Sequence, residues 1–301
     1  MPTPACLPPQ VGVGLKPQHY AEALEMVSAS IQPDAGIPAW FEVHPQNYFC
    51  AGGPPHRWLA AFVDRAPVSF HSVGLSLGSS DGVCRDELEQ LAALCDRYAP
   101  AMVSDHLSWS GNDNNRYPDL LPVPYTREVL DHFVREVALV QDRLQRAILI
   151  ENPSRYLAFA ADEMSEAEFL HDLCARAGCG LLLDVNNIEV SAVNLGLDAD
   201  TMIDAIDPRL VGEVHLAGHA REDHRDGPLL IDDHGSPVSP ETWRLFERLV
   251  QRTGPRPVLI EWDSDVPSFA TLLNEAAKAG AVMERASASA CLDARSTNEL
   301  A

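Results

Sequence analysis

AILIEN (residues 147–152) and GLLLDV (180–185) are short apolar runs that end on a carboxylate. Runs of this length, apolar at nearly every position, suit strands buried on both faces and are too short for amphipathic helices. A carboxylate closing such a strand calls for compensation, because burying an unpaired charge is costly. The same pattern recurs along the chain in VGVGL (11–15), AWFEV (39–43), PVSFH (67–71), AMVSDH (101–106), LVGEVH (210–215) and PVLIEW (257–262).

Helix-like stretches separate these eight runs. HYAEALEMVSAS follows the first, RDELEQLAALCDRYA precedes the fourth, and TREVLDHFVREVALVQDRL precedes the fifth with Leu130, Phe133, Val137 and Val140 on one face. SEAEFLHDLCARAG carries a capping pattern from Ser165 to Glu168 and stops at Gly178. SPETWRLFERLVQRTG pairs an N-cap Ser239 with Pro240 at the first helical position, and SFATLLNEAAKAGAVMERA supplies the last helix. Strand starts fall roughly 30 residues apart, as repeated βα units require. The alternation predicts an α/β fold, a (β/α)8 TIM barrel, over residues 11–285 as a single domain, with tails at 1–10 and 286–301. Two wide gaps allow long loops at 107–125 and 216–238.

In such a barrel the C-terminal strand ends share one mouth, where active sites are built. The runs end on His71, Asp105-His106, Glu151-Asn152, Asp184 and, at the last, Glu261 and Asp263, while the seventh carries Glu213 and His215 with His219 close behind. A single histidine or acid at a strand end is usually solvated or hydrogen-bonded, but six in succession converge imidazoles and carboxylates on one cavity. That donor set suits iron, manganese or zinc. LLIDDHGS (229–236) lies in the excursion before the eighth strand. In an extended segment its Asp232 and His234 face one way and Asp233 the other, so the pair can be lowered over the cavity.

Composition sets limits. Against 22 basic residues stand 44 acidic ones, a formal charge of -22, which opposes a broad nucleic-acid footprint. The N-terminus has no basic region followed by an apolar stretch and no run is long enough to span a bilayer, so the expected setting is the cytoplasm without membrane association. The seven cysteines (Cys6, Cys50, Cys84, Cys95, Cys174, Cys179 and Cys291) form neither a zinc knuckle nor a disulfide framework. GVG at 12–14 lacks the rest of a dinucleotide fingerprint. His19, His56, His132, His171 and His224 fall in helices or loops and read as structural or solvated, whereas Trp109 and NDNNRY are placed where they can line the mouth.

These stretches also carry a family resemblance. GVGLKPQHY, WFEVHPQNYF, SFHSVGLSLGS, VSDHLSW, ILIENPSRYLAF, CGLLLDVNNIEVSAVNLG, VGEVHLAGH, LLIDDHGSPV and PVLIEWDSDVPSF resemble the DUF692 family, also called UPF0276, from about residue 11 to about 280. The resemblance implies a xylose-isomerase-like TIM barrel holding two or three irons in mixed Fe2+/Fe3+ states, with dioxygen as co-substrate. It places the metal ligands on His71, His106, Glu151, Asp184, His215, Asp232, His234 and Glu261, with Asn187 as an addition. Glu42, His44 and Asn47 match a strand-two motif and are expected to orient ligands or touch substrate, as are Asn152, His219 and Asp263. Asp105, where the family commonly has glutamate, is expected to orient His106 through its other ring nitrogen.

The implied activity is oxidative modification of cysteine residues in a ribosomally made precursor peptide, a four-electron oxidation by dioxygen. A small leader-recognition protein is the implied partner. Two other readings remain open on the residues alone. One is a zinc- or manganese-dependent hydrolase or isomerase on the same barrel, and the other is a non-enzymatic metal-binding interaction protein.

Overall fold

The computed structural model describes residues 7–29, 38–112 and 115–298. In chain order the elements begin with β1 (Val11–Gly14), α1 (Tyr20–Ala29), β2 (Phe41–Val43), α2 (Pro54–Val63), β3 (Val68–His71), α3 (Arg85–Tyr98) and β4 (Met102–His106). A hairpin of β5 (Trp109–Asn112) and β6 (Asn115–Leu121) follows, then α4 (Arg127–Leu144), β7 (Leu149–Glu151), α5 (Glu166–Ala177) and β8 (Gly180–Asp184). Next come α6 (Val185–Leu195), α7 (Ala199–Ala205) and β9 (Val211–Leu216). A second hairpin of β10 (Ala220–His224) and β11 (Gly227–Ile231) precedes α8 (Pro240–Thr253), β12 (Val258–Ile260) and α9 (Phe269–Asn298).

β1, β2, β3, β4, β7, β8, β9 and β12 pair in parallel and close into a barrel, in the ring order β1-β12-β9-β8-β7-β4-β3-β2. These are the eight apolar runs of the sequence. Both wide gaps hold a two-stranded antiparallel hairpin rather than an irregular loop. The base of the barrel is plugged by Leu7, Trp40, Ala101 and Leu259. Gly12 belongs to that plug: a Cβ there would lie 2.4 Å from the Trp40 ring, which gives GVG a packing role.

Local chemistry sets the helices as expected. Leu130, Phe133, Val137 and Val140 of α4 are all buried. Ser165 and Glu168 form a reciprocal capping box at α5, which ends on left-handed Gly178, and the Ser239 side chain accepts the Thr242 N–H at the start of α8. α6 escapes a periodicity search because Val185 through Ala192 are all buried, so no polar face marks its pitch. α9 carries helical structure to Asn298, beyond residue 285 where the sequence reading ends the domain. At the other end Leu7 is packed within the expected tail, and residues 1–6 and 299–301 lie outside the described residues. Cys174 and Cys179 are buried with Sγ atoms 3.9 Å apart and not bonded. Cys6 and the Cys291 side chain lie outside the described set.

Candidate metal centre

Parallel pairing fixes the mouth. His106 is in register with Glu151 across β4 and β7, and Asp184 with His215 across β8 and β9. Glu151 is the hub: its Oε2 lies 3.2 Å from His71 Nε2 and 3.3 Å from His106 Nε2. Ser104 Oγ holds the other nitrogen of His71 at 2.7 Å, leaving Nε2 turned to the cavity. On the far side His215 Nδ1 is 3.0 Å from Glu261 Oε2, and His234 Nδ1 is 3.4 Å from the same oxygen. Asp232 Oδ1 meets His234 Nε2 at 2.7 Å.

Three donor atoms come within 4.8 Å of one another in each of four groups: His71/Glu151/His215, Asp184/His234/Glu261, His44/Glu261/Asp263 and Glu42/Glu213/His215. Glu151 Oε2, Asp184 Oδ2 and Asn187 Oδ1 are buried without a hydrogen-bond partner. Buried polar atoms are normally paired, so unpaired lone pairs gathered on one cavity fit a cation site. Above them opens a cavity of about 760 Å³ lined by eight carboxylates and a single arginine, Arg116.

The electrostatics agree. Burial pushes Glu151 well above the usual carboxylate range, with Asp184 and Glu261 adding repulsion. Burial likewise raises Asp184 to about 7, with Asp232 and Glu261 contributing. Burial, with His106 and His215 adding repulsion, holds His71 well below the ordinary imidazole value, and burial depresses His106 to about 4. Both rings are therefore neutral at physiological pH, the form that ligates metal. Burial opposes the charging of His215 and His234. Carboxylates override it, Glu42 and Glu261 at His215, Asp232 and Glu261 at His234, and raise both.

Residues 10–284 match the family of RiPP precursor modification enzymes MbnB/TglH/ChrH. The chain belongs to this family. A UPF0276 protein of Caulobacter sp. (strain K31) is 46% identical over 281 residues, 93% of this chain and 99% of that protein. Among solved structures, an L-ribulose 3-epimerase superposes with a TM-score of 0.60 at 15% identity, covering 94% of this chain and 97% of that one. Endonuclease IV from Thermus thermophilus gives 0.57 at 17% identity, covering 92% and 99%. Both likenesses show the barrel alone.

In this member of the MbnB/TglH/ChrH family the structure gathers His71, His106, Glu151, Asn187, Asp232, His234 and Glu261 around the cavity, with Asp184 and His215 buried beside them. Asn187 sits in the first turn of α6 and donates to Glu151 Oε1 at 3.2 Å. Asn152 clamps both backbone groups of Asp184, at 2.8 and 3.0 Å. His44 donates from Nδ1 to the His71 carbonyl and approaches Asp263, which Lys16 also pairs.

Some expectations need correction. Asp232 and His234 do meet, but not by strand alternation: β11 ends at Ile231 and His234 takes a left-handed φ of 46°, which swings its ring back onto Asp232. Asp233 accepts the Gly235 N–H and also lines the cavity wall, so it is not simply turned away. Asp105 receives the backbone N–H groups of His106 and Leu75 instead of the His106 ring, whose Nδ1 is unpartnered. Asn47 is exposed and lines a small side pocket with Glu42, His44 and Glu261, while the neighbouring Gln46 lines the main cavity. Trp109 donates to the Pro122 carbonyl and stacks edge-on against Tyr117, so Arg116 and Tyr117 of NDNNRY form the rim in its place. Asp113 and Asn114 lie outside the described residues.

His219 proves to be a brace. It contacts Asn186 Oδ1 at 2.7 Å, and Asn186 donates to Asp232 at 2.8 Å. Gly218 permits this, since a Cβ there would lie 2.2 Å from the Ser236 carbonyl. His19, His56, His132, His171 and His224 bond to carbonyls, a backbone N–H or nearby side chains away from the cavity, as expected. Sequence reasoning noted Glu213 on the seventh strand without giving it a role, and passed over Tyr156. The first shares the inward face of β9 with His215 by the two-residue period. The second accepts the Asp232 N–H from the rim, and no local pattern announces it.

Proposed function

We propose that this chain is an iron- and dioxygen-dependent enzyme that oxidatively modifies a cysteine residue of a ribosomally synthesised precursor peptide. One observation carries the choice of metal: two imidazoles, His71 and His106, face one carboxylate, Glu151, within 3.3 Å, with an open cavity above. Two histidines and a carboxylate with open positions are the donor set of non-haem ferrous oxygenases. The family membership supports the peptide substrate. The acid-lined cavity disfavours a phosphate backbone, which is how endonuclease chemistry would have to begin.

When bound, iron supplies the redox chemistry with dioxygen and an acid centre for the cysteine thiol. The chain's own groups do the rest. Glu151 faces His71 and His106 and feels the charges of Asp184 and Glu261, and Ser104 sets the ring of His71. Asn186 and His219 hold Asp232 over the cavity, where Tyr117 and Tyr156 offer apolar surface to a peptide. The setting is cytoplasmic in this reading, and a small leader-recognition protein is the expected partner; no helix among the described residues is long and apolar enough to cross a membrane.

Metal analysis of aerobically purified protein separates the readings. Iron at two or more per chain with a visible charge-transfer band is the expected result. Colourless protein with stoichiometric zinc would favour a hydrolase or isomerase, and metal retained without oxygen uptake on any cysteine peptide would favour an interaction protein.

A further inference from the structure

Beneath the mouth lies a buried acid pair that the cavity does not reach. Glu213 is fully buried and neither of its carboxylate oxygens has a hydrogen-bond partner; Glu42, 4% exposed, is unpaired at Oε2. Neither lines the main cavity, so neither is placed to touch a peptide there. Both converge on one ring: His215 Nε2 lies 3.5 Å from Glu42 Oε2 and 3.5 Å from Glu213 Oε1, while Nδ1 faces Glu261 at 3.0 Å.

Two buried carboxyl groups are costly unless a donor faces them. The Nε2 edge of His215, 3.5 Å from each, is the group placed to be that donor. We propose that Glu213, with Glu42 beside it, is a positioning residue that keeps the proton of His215 on Nε2 and so leaves Nδ1 as the lone pair turned toward the metal centre. The inference rests on the metal-centre reading above. Strand geometry supplies it: the two-residue period of β9 puts Glu213 under His215 on the inward face, and β2 brings Glu42 in from across the barrel. A carboxylate on the distal nitrogen fixes the tautomer, locks the ring plane and raises the basicity of the ligating nitrogen.

The test uses the full chain loaded with zinc, which is diamagnetic, and labelled with nitrogen-15 at histidine. Wild type should show His215 bound through Nδ1, with a slowly exchanging downfield proton on Nε2. Glu213→Leu should abolish that proton resonance and weaken zinc binding by about 10- to 100-fold, as loss of such outer partners does. Glu213→Gln, isosteric and still an acceptor, should keep the resonance but move it upfield, which preserves a readout if the leucine variant does not fold. An unchanged His215 spectrum with zinc affinity within about twofold in both variants overturns the inference alone. Ligation through Nε2 overturns it too. A wild-type chain that binds no divalent metal overturns the centre, and this inference with it.

Discussion

Replacing Asp184 by asparagine separates a metal ligand from a helix cap. Its Oδ1 accepts the Asn187 N–H at 2.8 Å to start α6, while Oδ2 has no hydrogen-bond partner. Asparagine is an equally good cap, so α6 should not suffer. The charge is another matter. Burial, aided by Asp232 and Glu261, raises the carboxyl from 3.8 to about 7. A folded-state pKa raised above the unfolded one means that folding takes up a proton between those values, so metal-free stability is full below 3.8 and is lost as pH rises through about 7. At about 1.4 kcal/mol per pH unit over roughly three units, the loss amounts to about 4 kcal/mol. That is an upper figure, because nearby acids ease as one of them takes the proton. Metal-stripped Asp184→Asn should therefore match wild type in urea titrations at pH 4 and exceed it at pH 7 by up to that amount. Metal reverses the order: at a thousand times its Kd a ligand adds about 4 kcal/mol to wild type, and the variant should forfeit most of this. A metal-free variant weaker than wild type at pH 7, with its metal-induced gain intact, would reduce Asp184 to a cap.

The arm between β11 and α8 gives a matched set. Asp232→Ala and His234→Ala should each lower metal content, while Asp233→Ala should keep it and lose only about 1 kcal/mol with the Gly235 contact; full metal in the first two variants would refute the arm's role. As a contrast, Ser165→Ala removes the α5 capping box, whose residues do not line the cavity. It should cost about 1 kcal/mol in chemical denaturation and leave metal content untouched.

Much of the barrel was legible because burial on both faces writes each strand as an unbroken apolar run, and because the acids and histidines that interrupt this grammar sit at one end of it. Glu151 and Asp184 were conspicuous for that reason. What escaped depends on contacts without a local signature. The return of His234 onto Asp232 needs a left-handed residue that is neither Gly nor Asn, so the two-residue period names the right pair for the wrong reason. Asp105 looked like a ring partner because it adjoins His106 in the chain, yet adjacent strand residues point to opposite faces, and its carboxylate goes to backbone N–H groups. The rim hairpin β5/β6 shifts register between Trp109 and Gly111, so its alternation gives no clue that Tyr117 rather than Trp109 meets the cavity.

The central claim is a chemical change at cysteine, and the most direct measurement is intact peptide mass. The chain would be co-expressed under aerobic, iron-replete conditions with a short cysteine-containing precursor and small partner protein encoded beside it. The expected result is a mass change confined to cysteine-bearing fragments, with a loss of four hydrogens, and no change when Glu151→Gln replaces the wild-type chain. An unmodified precursor alongside an iron-loaded, folded chain would contradict it.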